Sequence, residues 1–472
     1  MKSARRIRLE VDEATGRALD GQSKICNWLY NHLLERANGL RAQYRETRDS
    51  ATALTLYSKR GLRDLVPDLK ADHTFLKSVY SSPLKNAGLR LSKAIRDYQA
   101  SQHGKRPGPK IKWPKFRSWK TRWFSLEYDE PWKGYTLDGQ TLQLKLGVDA
   151  NGQRVSTSGR LAEPLPTRYA ENVKTLRIVK EAGRFYAVFT VDMDARQPSA
   201  ELRPKPRTVK HPRVIALDPN HKNLAYGVGT DGRAIEIENM PGLKALDARI
   251  DLLKSRRDQC KRNSVKVVRP DGSVFYRPSR RWTFFNNRLQ DAYRKRREQT
   301  KTFLNTVCHR LCRDYDVIGV GHYTPHGGGI TRGMRRAMNN SSLIGRLKTT
   351  LDWTAAKSGK RYSEYDEAKT TRTCCDCGCK VEGGIALDIR EWTCVECGAF
   401  HIRDENAAQN GLPRVLKQNH LPRSGHTPEV KVLARWAWRV TPSGVVATLR
   451  GRDGSALDTT DSEHRQEIKP EA

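Results

Sequence analysis

Residues 373–410 read TCCDCGCKVEGGIALDIREWTCVECGAFHIRDENAAQN: two Cys-x-x-Cys-Gly turns followed by an acidic Arg-Asp-Glu-Asn run. Cys374 with Cys377, and Cys394 with Cys397, have the spacing that lets neighbouring thiolates grip one tetrahedral ion, and the sixteen residues between the pairs close a ribbon. Gly378 and Gly398 permit the tight turns that aim backbone amides at sulfur. Cys375 and Cys379 are spare; spacing leaves a register exchange with Cys374 or Cys377 open, although only the chosen pairs reproduce Cys-x-x-Cys-Gly twice. Zinc is the expected ion. Four thiolates leave no open coordination position, so its expected role is structural, and any chemistry has to come from carboxylates.

Outward from this stretch, the 472-residue chain carries 87 Lys and Arg against 52 Asp and Glu, a net charge of +35. So large an excess calls for a polyanionic partner, and nucleic acid is the leading one. No run of about eighteen apolar residues is present, and the opening MKSARRIRLEVD leads into a polar segment and not into a signal-peptide core. A soluble, intracellular protein with no membrane partner is expected. Six of the ten cysteines fall between Cys374 and Cys397, which argues for metal and against a secreted disulfide framework.

Helical spacing recurs from Asn27 to Arg45 and from Leu76 to Tyr98, so residues 11–103 read as a helical layer. Then SQHGKRPGPKIKWPKFRSWK interleaves aromatics with cations. Lys112, Lys115 and Arg117 could neutralise phosphate while Trp113, Phe116 and Trp119 stack on bases; the alternative is a linker whose aromatics tuck into a neighbouring core. Period-two patterning at Leu142, Leu144 and Leu146, and the strand-turn-strand VKTLRIVKEAGRFYAVFTVDM, predict a small β unit over 121–196. The Pro-rich QPSAELRPKPRTVKHP marks a linker. A buried strand, Val214 to Leu217, ends in Asp218, and two more strands joined by a TDGR turn follow. Helices are predicted over 243–253 and 280–313, the second with a basic ridge that includes Arg294 and Arg297. Another buried strand, Val317 to Val320, enters the loop HGGGITRGMRRAMNNSS. VLARWAWRVTPSGVVATLRG, near the end of the chain, suggests a short hairpin.

Metal-assisted phosphodiester cleavage needs oxygen ligands around ions about 3.5–4 Å apart. Asp218 and Asp404, nearly two hundred residues apart, could converge to provide them. Each has an ordinary alternative: Asp218 as a turn cap, Asp404 as the N-cap of a helix.

The assembly ALDPNHKNLA, then YDVIGV, then the double Cys-x-x-Cys-Gly ribbon ending in HIRDENAAQN resembles the split RuvC nuclease of TnpB-type transposon proteins and their descendants, the compact type V CRISPR effectors. NWLYNHLLERA, LKADHTFLKSVYSSPLKNAGLRL and KWPKFRSWK resemble that family's recognition and wedge regions more weakly, so the resemblance covers residues 1 to about 412. It implies a multidomain α/β fold: an RNase H-like (RuvC) nuclease domain with an inserted zinc ribbon, an N-terminal helical recognition layer and a small β-barrel-like wedge domain. The implied segments are 1–10 (first wedge strand), 11–103 (helical recognition), 104–200 (basic strap and wedge), 201–212 (linker), 213–370 (nuclease), 371–400 (ribbon), 401–412 (last nuclease motif) and 413–472 (C-terminal tail).

The resemblance makes Asp218 and Asp404 magnesium-binding catalytic carboxylates. The family's usual middle glutamate is missing: Gly321 stands at its position, followed by His322, and imidazole suits hard magnesium poorly. His322 contacting the scissile phosphate or a metal-bound water, a carboxylate from elsewhere, or a site decayed into a binder all stay open. The implied activity is RNA-guided DNA endonuclease, with a nuclease-impaired guided repressor as the alternative. The implied partners are a guide RNA and target double-stranded DNA, held by a cationic surface to which Lys222 would belong; self-association is left open. A CRISPR effector is favoured over a transposon-encoded relative, acting in the prokaryotic cytoplasm on the nucleoid.

Overall fold

The computed structural model describes residues 2–106, 108–117, 124–192, 212–268, 270, 272, 274–322, 342–386, 389–421, 431–451 and 455. The chain divides into two compact units, Met1–Arg203 and Pro204–Ala472.

In the first unit β1 (Lys2–Glu10) leads into α1 (Glu13–Thr47), then α2 (Ser50–Tyr57), α3 (Gly61–Asp64), α4 (Val66–Asp72) and α5 (Ser81–Gln102). Helix α1 begins well before the periodic segment because Asp12 caps it, its Oδ1 accepting from the Thr15 amide at 2.7 Å. Helix α5 starts later than the pattern suggested: Thr74–Ser78 forms a 3-10 turn, and Pro83 fits the first helical turn, where an amide hydrogen has no partner to lose. The remaining elements are β2 (Ser125–Tyr128), β3 (Tyr135–Asp138), β4 (Thr141–Val148), β5 (Arg154–Leu161), α6 (Thr167–Ala170), β6 (Val173–Glu181) and β7 (Arg184–Asp192).

The seven strands pair antiparallel in the order β2-β6-β7-β1-β5-β4-β3. Leu142, Leu144 and Leu146 point inward, as their alternation required. Ala182 and Gly183, both at positive φ, make the tight turn between β6 and β7. The order ends at β2 and β3, and no pairing among the described residues closes it into the barrel expected from the sequence. The linker segment 197–211 lies outside the described residues.

The second unit comprises β8 (Val214–Pro219), β9 (Ala225–Gly229), β10 (Arg233–Ile237), α7 (Leu243–Gln259), β11 (Val265–Val268), β12 (Val274–Arg277), α8 (Arg280–Asp314), β13 (Val317–Gly321), α9 (Ile344–Lys357), β14 (Arg361–Tyr365), β15 (Glu391–Thr393), β16 (Phe400–Ile402), α10 (Arg403–Gln418), β17 (Ala434–Thr441) and β18 (Gly444–Arg450). Its main sheet runs β14-β13-β8-β9-β10-β17-β18. Strands β14, β13 and β8 are parallel, β8 to β10 antiparallel, and β17 joins β10 in parallel.

Strand β8 is covered on both faces, which is why it reads as an unbroken apolar run. Ile215 and Leu217 pack with Phe303, Leu304, Val307 and Leu311 of α8 and with Leu347 and Leu351 of α9. Val214 and Ala216 pack on the opposite face with Ala408, Leu412 and Val415 of α10. The expected C-terminal hairpin is present as β17 and β18, and it extends this sheet. Arg435 of β17 grips Glu405 of α10 bidentately, at 2.8 and 2.7 Å, and so ties the added strands to the helix that carries Asp404. The HGGG loop, apart from Ser342, lies outside the described residues.

Candidate metal centres

The four ribbon cysteines converge. Their sulfurs lie within 4.8 Å of one another, with Cys374 to Cys397 at 3.7 Å and Cys377 to Cys394 at 3.6 Å. A tetrahedron with Zn–S bonds of about 2.3 Å has edges of about 3.8 Å, so donor set and spacing both suit zinc. The spare Cys375 and Cys379 stay outside the cluster. Gly378 and Gly398 adopt positive φ, and their amides return to the carbonyls of Cys374 and Cys394, closing both turns at 2.9 Å. Backbone amides of Cys397 and Glu396 favour the Cys394 thiolate, bringing it down to about 7.

Behind the sulfurs sits a residue that spacing did not reveal: His401, buried, has Nε2 3.0 Å from Cys374 Sγ, and its ring lies tilted against Trp392 with centroids 4.6 Å apart. In the tautomer protonated at Nε2 the ring donates to that thiolate and orients it.

The ribbon is fastened to α10 by asparagines. Asn406 Nδ2 donates to the carbonyls of Thr370 and Thr373, at 3.2 and 2.8 Å, while its Oδ1 accepts from the Cys375 amide at 2.9 Å. Asn410 Nδ2 reaches the same two carbonyls at 2.9 and 2.6 Å. The spacing of the two asparagines, four apart on one helical face, is therefore a clamp.

Asp404 lies in the first turn of α10, but Ile402 occupies the N-cap position and no side chain caps it. The N-cap alternative is thereby set aside. Asp404 instead accepts from Asn220 Nδ2 at 3.3 Å and from Arg390 Nη1 at 3.2 Å. Asn220 stands two residues after Asp218, so the β8 end and the start of α10 meet. Asp218 keeps some contact with solvent, yet the atoms packed around it push its carboxyl well above the usual range. The charges of Glu367 and Asp404 add to that, and Arg403 opposes it. Glu367, two residues past β14, is a carboxylate the sequence reading did not single out. Among the described residues the four thiolates form the one group of three or more donors that all lie within 4.8 Å of one another, so Asp218, Glu367 and Asp404 do not gather that tightly as a set.

His322 follows the end of β13; its amide donates to the Tyr365 carbonyl at 2.8 Å, and its side chain acts electrostatically on Glu364 and Glu367.

Residues 345–410 match the model of the Cas12f1-like TNB domain. A protein of Streptomyces pristinaespiralis, by name an RNA-guided DNA endonuclease, is 25% identical over 397 residues, covering 81% of this chain and 82% of that one. The CRISPR-associated DNA-binding protein Cas12m of Allomeiothermus silvanus is 29% identical over 140 residues, 28% of this chain and a quarter of that one. The cryo-EM structure of a Cas12f1–sgRNA–target DNA complex superposes with a TM-score of 0.53 at 10% identity, covering 84% of this chain and 82% of that one. The chain has the fold of a compact type V effector.

In this effector fold the basic residues singled out from sequence fall into two groups. Lys112, Lys115, Phe116 and Lys222 are exposed. Trp113 is engaged within its own unit: its Nε1 donates to Asn38 at 2.9 Å, Arg41 lies over its ring at 4.2 Å and Tyr98 meets it edge-on. The tucked alternative describes it. Arg117 stacks on Tyr30 at 3.5 Å, exchanges backbone hydrogen bonds with the Asn31 side chain and donates from Nη1 to Asn27 Oδ1. Trp119 lies outside the described residues. Arg294 and Arg297 pair with Asp291 and Glu298 along α8.

An aromatic plate went unnoticed in sequence: Trp28 stacks on His32 with rings 5.1 Å apart, and His73 and Phe75 pack edge-on to Trp28. Trp28 and Phe75 are exposed. The signal was NWLYNH, which sets an indole and an imidazole four residues apart on one helix.

Proposed function

We propose that this effector is an RNA-guided DNA endonuclease whose RuvC-like site uses Asp218 and Asp404 to hold magnesium. The supporting observation is that Asn220, two residues after Asp218, donates to Asp404 and that the Asp404 charge acts on Asp218, between segments nearly two hundred residues apart. A relative named an RNA-guided DNA endonuclease and matched over 82% of its length points the same way. When bound, magnesium neutralises phosphate charge and activates a water for in-line attack. Asn220 and Arg390 fix the Asp404 carboxylate, and Arg390 and Arg403 place positive charge beside the scissile phosphate. The thiolate ribbon, loaded with zinc, acts as a strut that holds α10 and thus Asp404 in place.

On this reading the helical layer and β unit grip RNA and a short DNA motif. Guide pairing supplies sequence choice, and the protein holds the heteroduplex through its backbone. Exposed Lys112, Lys115, Phe116 and Lys222 serve that grip, on the nucleoid of a prokaryotic cytoplasm.

Incubation of protein, guide and plasmid with magnesium tests the assignment: wild type yields nicked or linear product, and Asp218→Ala and Asp404→Ala yield none. A second reading, a guided DNA binder that does not cut, is favoured by Gly321 at the middle position and by the local likeness to a relative named for DNA binding. Tight guided binding with no strand breakage at any magnesium concentration is its signature. A repeat array beside the gene separates a CRISPR effector from a transposon-encoded one.

A further inference from the structure

We infer that Glu367 supplies the third carboxylate of the divalent-cation site, in the space that Gly321 leaves by having no side chain. The inference rests on the assignment of Asp218 and Asp404 above.

Strands β14, β13 and β8 are adjacent and parallel, so their C-terminal ends share one edge of the sheet. Asp218 lies at the end of β8, Gly321 ends β13, and Glu367 follows the end of β14 by two residues. An acidic group can enter the pocket from the middle strand directly, or from the outer strand if the middle strand gives way. Here the middle strand gives way. A Cβ placed on Gly321 would sit 2.6 Å from Glu367 Oε2, 3.5 Å from Glu367 Cβ and 3.3 Å from Cδ of Pro219, the residue after Asp218. Any side chain at 321 and the present position of the Glu367 carboxylate exclude each other.

Backbone conformation does not call for glycine at this point, since Gly321 is not at positive φ. A glycine inside a strand marks a place where another group approaches closely. That group is a carboxylate.

No hydrogen bond or ion pair engages the Glu367 carboxylate among the described residues, although the side chain is half-buried. Against burial and Asp366, only the charges of Lys348 and His322 favour its ionised form; a partly buried carboxylate with no hydrogen bond is costly, and a hard cation with oxygen ligands is the kind of partner that offsets the cost. Its carbonyl is held by the Thr370 amide and hydroxyl, at 3.2 and 2.8 Å, just ahead of the ribbon, so the backbone that aims it is fixed. Ions about 3.5–4 Å apart need carboxylates on their flanks and not in one knot, and the three groups do not all lie within 4.8 Å of one another. His322, with its imidazole, then has no need to be a ligand.

The test is Mn2+ binding to the full, zinc-loaded protein, read by electron paramagnetic resonance of free Mn2+, with Asp218→Asn as the reference. Glu367→Gln should weaken Mn2+ at least about tenfold, since even groups that only support ligands cost that much. Its zinc content and melting temperature should match wild type. The double variant Gly321→Glu/Glu367→Ala, which grows the carboxylate from the middle strand into the vacated space, should regain much of the affinity, and plasmid cleavage should follow the same order. Wild-type Mn2+ affinity in Glu367→Gln together with weakened binding in Asp218→Asn overturns the Glu367 assignment and leaves the endonuclease reading intact. Mn2+ binding that is unaffected by both substitutions, or absent from wild type, overturns both.

Discussion

At the scale of single residues, the site depends on how a few side chains are held. Asp404 is held by an amide, Asn220, and by a guanidinium, Arg390. Replacing it with asparagine keeps its size and removes the charge a cation needs. Asp404→Asn should therefore lower plasmid cleavage by more than about 100-fold, beyond the upper range for supporting residues, while leaving guided DNA binding near wild type in a gel-shift assay. Asp218 and Asp404 stood out as candidates because each sits in a distinctive string, ALDPN and RDENAAQN. Glu367 was not. In RYSEYDEAKT it reads as one more solvated acid, and only the strand order β14-β13-β8 puts it beside Gly321. The N-cap alternative for Asp404 failed because the strand β16 runs directly into α10, leaving the cap position to Ile402.

At the scale of elements, the ribbon and α10 form one mechanical piece. Asn406 is buried, and its amide joins the helix to both sides of the first cysteine turn. Asn406→Ala leaves the Cys375 amide without its partner and the Thr370 and Thr373 carbonyls with Asn410 alone, at about 1–3 kcal/mol for the buried group left unpaired. For a unit of this size each kcal/mol lowers the melting temperature by about 2–4 °C, a shift that scanning calorimetry resolves. Cys397→Ser should act on the same piece from the metal side: zinc measured by plasma mass spectrometry falls from about one per chain to near zero, and cleavage drops because α10 loses its strut. The spacing of the cysteines made the ribbon readable, and period-two patterning made β4, β6 and β7 readable. The role of the C-terminal hairpin was hidden, because joining β10 in parallel is a pairing across two hundred residues that no local pattern reports. The hairpin β11–β12 was missed for a different reason: its strands are only four residues long and mostly exposed, so they carry no burial pattern.

At the scale of the whole molecule, the excess of 35 positive charges dominates. Cations that neutralise phosphates release counterions, so affinity for RNA should fall linearly in log–log form with salt, by about 0.7–0.9 per phosphate engaged. Stacking on an aromatic plate releases none. The two contributions are therefore separable by one titration series. Removing an exposed lysine of the strap, Lys112 or Lys115, should weaken guide RNA binding and flatten the salt slope by about one. Trp28→Ala, which dismantles the plate formed with His32, His73 and Phe75, should weaken binding by about 1–3 kcal/mol per base stacked while leaving the slope where it was. Fluorescence anisotropy of a labelled guide from about 50 to about 200 mM salt reads both quantities. A slope that changes with Trp28→Ala would mean that the plate orders neighbouring cations and does not receive bases itself. An affinity that ignores salt would remove the electrostatic grip on which the guided reading of this basic chain depends.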